Sequence, residues 1–151
     1  MEIVTMGRVM IGGRIENLED VYQAANGGLP TEQIRHVEVA DALVDTGATM
    51  LSLPRRLIEQ LGLCRHRTRT ARTPAGIISF GIYDAVRLTV QGRDCVVEVA
   101  KVNDECPALI GQIPLEALDF VIDPVGQRLL GNPDHGGQHM IDMFASQIPD
   151  P

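Results

Sequence analysis

Asp45 is set apart from the other acids by its surroundings. It ends the apolar run Ala42-Leu43-Val44, and Thr46 and Gly47 follow it directly. The run has the aliphatic, β-branched character of a buried strand, and Asp-Thr-Gly is turn chemistry. Apolar residues resume at Met50, Leu51 and Leu53. The chain thus enters a core, presents one carboxylate at a tight turn, and returns to the core. A carboxylate there is costly unless it is hydrogen-bonded or shares a proton with a second acid. On these residues alone, Asp45 is either a turn aspartate satisfying backbone amides or an acid–base group.

Three other sets of residues have types that carry chemistry. Arg65, Arg67, Arg69 and Arg72 form a basic run, and the first three alternate with His66 and Thr68, which predicts one shared strand face. A solvated face is the plain reading, since no aromatic interleaves with them to stack bases. Cys64, Cys95 and Cys106 are odd in number with no close pairing, unlike a disulfide framework. They read as reduced thiols of a cytosolic protein, with Cys106 a small buried hydrophobe rather than a nucleophile. His135 and His139, near Asp134 and Asp142, have a spacing that one helical face would turn toward a metal. Gly136-Gly137 between them opposes that helix, so no metal is expected.

The elements that must position Asp45 are short. The chain has 151 residues, enough for one domain with a core, and 44% are hydrophobic. Aromatics are 3% and Trp is absent, so aliphatics must fill that core. Fifteen Gly and nine Pro favour strands and turns over long helices. Strands are expected over Arg8–Ile15, Ile34–Val44, Arg65–Thr73, Ile77–Phe80, Val86–Val90 and Cys95–Val102. Another is expected at Leu109–Ile110, with a strand–turn–strand over 120–131. Helical spacing appears at Leu18–Ala25, between Asn17 and Gly27 as caps, and at Pro54–Leu61, stopped by Gly62. A shorter helical piece is expected at Pro114–Leu118. Pro74-Ala75-Gly76 reads as the tip of a hairpin, and Gln91–Asp94 as a turn. A net charge of −7 argues against nucleic acid as the main partner. No stretch approaches the length of a membrane span, and Met1–Arg8 lacks the basic start and apolar core of a signal peptide. A cytoplasmic location is expected, with no membrane partner.

Asp41-Ala42-Leu43-Val44-Asp45-Thr46-Gly47-Ala48 resembles the active-site loop of the retropepsin-like aspartic proteases. Those enzymes show an acid, Ala, Leu and an aliphatic residue before Asp-Thr-Gly-Ala. Ala108-Leu109-Ile110-Gly111, followed by a short helical piece, is similar to their late aliphatic pair and Gly, a strand that packs behind the acid loop. Gln112 departs from the Arg or Asn usual there in retroviral enzymes, which bears on local polar contacts. The segment Phe120–Gly131 is similar to small bacterial members of the same clan.

The resemblance implies a mainly β, retropepsin-like acid protease barrel with one or two short helices and one lobe per chain. The resemblance covers about Arg8 to Gly131, which gives a protease domain over residues 1–131 and leaves 132–151 as a C-terminal arm. The arm's own residues read as a polar extension that could contact a partner subunit at the dimer interface through Met140, Met143 and Phe144. The resemblance implies an aspartic endopeptidase with no metal or organic cofactor. With only one such loop per chain, the pair of acids must come from a homodimer, Asp45 and its symmetry mate. One carboxylate takes a proton from water while the other, protonated, polarises the scissile carbonyl. Thr46 would bond across the dimer, Gly47 would let the substrate backbone approach, and Ala48 leaves the acid without a neighbouring hydroxyl. Pro74, Ala75, Gly76 and Ile77 would form a flap over a peptide or protein substrate. Leu109, Ile110 and Gly111 would support the loop. The alternative is a non-catalytic homodimer of the same fold that holds an extended peptide by strand addition.

Overall fold

The structure is a computed structural model that describes residues 9–150; the reading of Met1–Arg8 lies outside them. It is mainly β. The strands are β1 (Val9–Asn17), β2 (His36–Val44), β3 (Leu51–Pro54), β4 (Arg65–Thr73), β5 (Gly76–Val90) and β6 (Arg93–Val102), followed by β7 (Leu109–Ile110), β8 (Phe120–Asp123) and β9 (Arg128–Gly131). Three short α-helices intervene: α1 (Leu18–Ala25), α2 (Arg55–Leu61) and α3 (Gln112–Leu118). That is more helix than the one or two expected from the resemblance. α1 falls where the sequence expects it, with the Asn17 side chain accepting from the Asp20 amide to cap the first turn.

Seven strands form one mixed sheet in the order β1-β2-β7-β3-β6-β5-β4, and β8 and β9 form a separate hairpin. β1 also pairs with the second half of β5, from Arg14↔Thr89 to Asn17↔Val86, so the neighbour pairings return to their starting strand. The two parallel pairings, β2–β7 and β3–β6, flank the acid loop and its exit strand. One aliphatic cluster fills the interior. Val9 and Ile15 of β1, Val44, Leu51, Leu53, Val86, Leu88, Val99 and Ile110 are buried in it. Ile58 and Leu61 of α2 and Leu115 and Leu118 of α3 close it. Each such side chain contributes about 1.5–3 kcal/mol when fully buried.

Several boundaries differ from the sequence expectation. Pro54 ends β3 and caps α2 from outside (φ −69°, ψ 158°) rather than sitting in its first turn. α3 starts earlier, at Gln112, and Pro114 is accommodated within its first turn, where no amide partner is lost. The segments at 77–80 and 86–90 are one bent strand, β5, with an irregularity between Tyr83 and Val86 where it changes partners. The 91–94 turn tightens to Gln91-Gly92, both at positive φ (49° and 80°), between paired Val90 and Arg93.

The basic run is not one face. Arg65 pairs with Tyr83 but Arg67 pairs with Ile82, so an extra residue bulges between them. Asp84 braces the bulge by accepting from the Cys64 amide (2.8 Å) and bonding His66. Because neighbours on a strand face opposite ways, Arg65 joins the face of Tyr83, while Arg67 and Arg69 share the face of Ile82 and Phe80. No helix among the described residues is long and apolar enough to cross a membrane.

Candidate active site

Asp45 lies one residue past the end of β2, half-buried, with its loop exposed at Thr46 and Gly47. The geometry follows from the local sequence. Val44 is fully inside the core, so the strand delivers the acid to the surface of the core and no farther. Asp45 Oδ1 then accepts from the Gly47 amide at 2.9 Å, and the Asp45 carbonyl accepts from the Ala48 amide at 3.1 Å. This side-chain-to-backbone turn is what Asp does best among the acids, because its short carboxylate reaches the amide two residues on. A Cβ on Gly47 would approach Asp45 Oδ1 to 3.1 Å, so Gly leaves the carboxylate room. The Thr46 hydroxyl has no hydrogen-bond partner among the described residues.

β7 threads between the two strands that carry the loop. Leu43 and Val44 pair in parallel with Leu109 and Ile110, while Leu51 and Ser52 pair antiparallel with Ile110 and Leu109. The Asp45 amide donates to the Ile110 carbonyl at 3.0 Å, which anchors the acid's own backbone. Next, the Gly111, Gln112 and Ile113 amides donate to the carbonyls of Met50, Ala48 and Thr49 at 3.1, 2.9 and 2.9 Å. These three amides lead into α3, so the orphan donors of the helix start are used to hold the acid loop. The contact is close enough to exclude any side chain at Gly111. A Cβ there would stand 2.5 Å from the Met50 carbonyl oxygen and 2.7 Å from that of Ala48. The Gln112 side chain points away from the loop, donating to Glu116 at 2.9 Å.

The structure therefore brings Asp45, Thr46, Gly47 and Ala48 together with Leu109, Ile110 and Gly111. It does not join Pro74, Ala75, Gly76 and Ile77 to them by any hydrogen bond among the described residues. Those four residues form the tip of the β4–β5 hairpin. The Thr73 hydroxyl donates to the Gly76 carbonyl at 2.7 Å and accepts from the Ala75 amide at 3.1 Å. Gly76 has φ 117°, in the region that favours glycine. Ile77 is 77% exposed, and both strands beside the tip are exposed on both faces, so the hairpin stands off the body.

Thr73 and Gly111's neighbours Met50 and Thr49 are the parts sequence reasoning undervalued. Thr73 carried a usable signal, since a Thr before Pro-Ala-Gly is placed to close such a turn. The Met50 and Thr49 roles are backbone ones and leave no trace in residue type. Cys106, expected to be buried, is half-buried and lines a groove beside the hairpin. All three cysteines are free, and burial beside Asp94 pushes the Cys95 thiol up to about 11.

The arm begins by folding back on the body. Asp119 takes a left-handed conformation (φ 58°) after α3, and its buried carboxylate accepts from His135 Nδ1 (2.7 Å), the Met140 amide (3.0 Å) and Asn132 Nδ2 (3.2 Å). His135 and those amides hold the Asp119 carboxyl down at about 2, and Asp119 with Asp142 raises the His135 imidazole above its usual range. His139 bonds the Ala117 carbonyl instead, so the two imidazoles are engaged separately. Among the described residues no His, Cys, Asp and Glu cluster is arranged to hold a metal ion. Beyond residue 140 the apolar side chains of Ile141, Met143 and Phe144 are exposed.

Neither the protein-family models nor the curated proteins compared with this chain give a match.

Proposed function

We propose that the chain is a retropepsin-like aspartic endopeptidase that works as a homodimer, with Asp45 of each copy supplying one acid of the dyad. The observation that carries this reading is the framing of Asp45. β2 brings it out, β3 takes the chain away, and β7 is hydrogen-bonded between the two, with Gly111 against the loop's carbonyls. An aspartate that merely closed a turn would not need a strand from 64 residues downstream behind it (109 − 45). The circuit of strand pairings from β1 back to β1 supports the closed, barrel-like form that such enzymes take.

In the dimer the ionised Asp45 accepts a proton from water as the water oxygen bonds to the scissile carbonyl carbon. The protonated partner acid donates to the carbonyl oxygen, giving a tetrahedral diol. On its collapse Asp45 passes the proton it took from water to the leaving nitrogen, and the partner acid takes a proton back from the diol, which restores the dyad. The exposed Thr46 hydroxyl is available to the other copy's loop. The projecting β4–β5 hairpin, with Ile77 exposed at its tip, is available to close over an extended peptide.

A peptide-library digest read by mass spectrometry, from acidic to neutral pH, tests the reading. Wild type cleaves, and Asp45→Asn does not, while its melting temperature and dimerisation stay unchanged. The amide keeps an oxygen for the Gly47 amide, so the turn survives. Cleavage by Asp45→Asn at a rate near wild type would remove Asp45 from the chemistry.

A further inference from the structure

A groove lies beside the hairpin, with Ile78, Ser79, Phe80 and Gly81 on one side. It has a volume of about 630 Å³, within the size of ordinary ligand sites, and Asp45 is not among its lining residues. One wall is the hairpin and the other is the end of β6 with the loop that follows. Arg55, Arg65 and Lys101 line it with the carboxylate Asp104, and Arg55 is already paired with Glu59 at 2.9 Å. A cationic groove on a chain of net charge −7 is a departure from the average surface.

The placement of Arg65 there is built. The bulge at His66 turns Arg65 away from Arg67 and Arg69 and onto the face of Tyr83. Gly81 makes the room: a Cβ on it would lie 2.8 Å from Arg65 Cδ and 2.9 Å from the Tyr83 ring. The arginine stem thus lies across a glycine and beside an aromatic, with its guanidinium carried to the groove. Several cations elsewhere are paired, Arg14 with Glu38, Arg35 with Asp20, Arg67 with Glu98, Arg87 with Glu16 and Arg128 with Asp123, while Arg69 and Arg72 of β4 have no ion pair among the described residues. Arg65 and Lys101 have no carboxylate or carbonyl partner among the described residues. β4 is also the last strand of the sheet order, so its outer backbone edge has no strand partner among the described residues.

We propose that this groove and edge bind an acidic, extended polypeptide segment, whose backbone adds to β4 and whose carboxylates meet Arg65 and Lys101. The free edge selects a polypeptide, because only a peptide backbone supplies matching donors and acceptors at strand spacing. The cations select acidic side chains. The interaction goes beyond cleavage and does not depend on it.

The test uses the full chain carrying Asp45→Asn, so that nothing is cut, and a short fluorescein-labelled Glu/Asp-rich peptide followed by anisotropy. The acidic peptide binds, a Lys-rich peptide of equal length does not, and added salt weakens the complex. Arg65→Ala and Lys101→Ala each weaken it by about tenfold, the range for a hydrogen-bonded charge. Arg69→Ala, on the opposite face, leaves it unchanged. Lys101→Ala carries the test alone if Arg65→Ala lowers the melting temperature. Three results overturn the proposal: no preference for the acidic peptide, equal weakening by Arg69→Ala, or tighter binding of a single-stranded oligonucleotide. The first would leave the β4 cations as guards against edge-to-edge pairing.

Discussion

Replacing Gly111 by alanine should disturb the acid loop without altering any group that does chemistry. The added methyl would stand 2.5 Å from the Met50 carbonyl oxygen and 2.7 Å from that of Ala48. Carbon-to-oxygen contacts settle at about 3.3–3.6 Å, so the loop must retreat by roughly 0.6–1 Å. Gly111 has φ −87° and ψ −168°, which any residue adopts, so the whole cost comes from the contact. The obstructing atoms are backbone, and they accept from Gly111 and Gln112 at 3.1 and 2.9 Å. Overpacking costs about 1–3 kcal/mol, and weakening two hydrogen bonds adds about 1 kcal/mol. A loss of about 3 kcal/mol in a domain of this size lowers the melting temperature by about 6–12 °C. Thermal unfolding followed by circular dichroism measures it. Gly12→Ala is the control, since its nearest obstacle is the Val39 carbonyl oxygen at 3.6 Å, an ordinary contact. Cleavage should fall further than stability, because the Asp45 amide hangs on the neighbouring Ile110 carbonyl. If Gly111→Ala melts like Gly12→Ala, β7 does not lie against the loop and the reasoning fails.

If two chains share one dyad, co-refolding wild type with excess Asp45→Asn gives activity that follows the square of the wild-type fraction; a linear curve would mean a complete site in each chain. Gly76→Val should slow turnover more than it lowers the melting temperature, because a β-branched residue at φ 117° stiffens an exposed tip with nothing within 4 Å of it. Parallel losses of both would mark an ordinary hairpin. His135→Gln should loosen the arm in a pH-dependent way. The raised imidazole contributes fully below its usual 6.5 and is lost as pH rises through its higher folded value. The Asp119 carboxyl contributes above its usual 3.8 and is lost as pH falls toward about 2. The melting-temperature gap between wild type and His135→Gln should therefore be widest between those limits and shrink toward alkaline pH. A gap constant with pH would show that the imidazole's charge is not used.

The acid loop was legible because its determinants are local. Ala42 and Val44 bury, Asp45 closes its own turn onto Gly47, and Leu51 and Leu53 bury again, all within a dozen residues. Strand periodicity and the caps Asn17 and Gly62 were readable for the same reason. Errors gathered where a distant partner sets the outcome. Nothing near Arg65 announces that Asp84, on the neighbouring strand, will hold a bulge and turn Arg65 away from Arg67. Nor does a residue type reveal that the carbonyls of Ala48, Thr49 and Met50 will receive the amides that open α3.

The sequence by itself determined most of the strands, though not β3 at Leu51–Pro54 nor the continuity of β5, and it determined where the chain turns and that one carboxylate stands at the end of a buried run. Those are properties of side chains and of their nearest neighbours along the chain. Tertiary structure alone decided that Leu109–Ile110 sits between β2 and β3, that Gly111 touches the loop it supports, and that Asp119 pins the arm through His135 and Met140. Backbone amides and carbonyls are alike at every position. Which of them meet is fixed only when packing of the aliphatic core brings segments 60 residues or more apart into register.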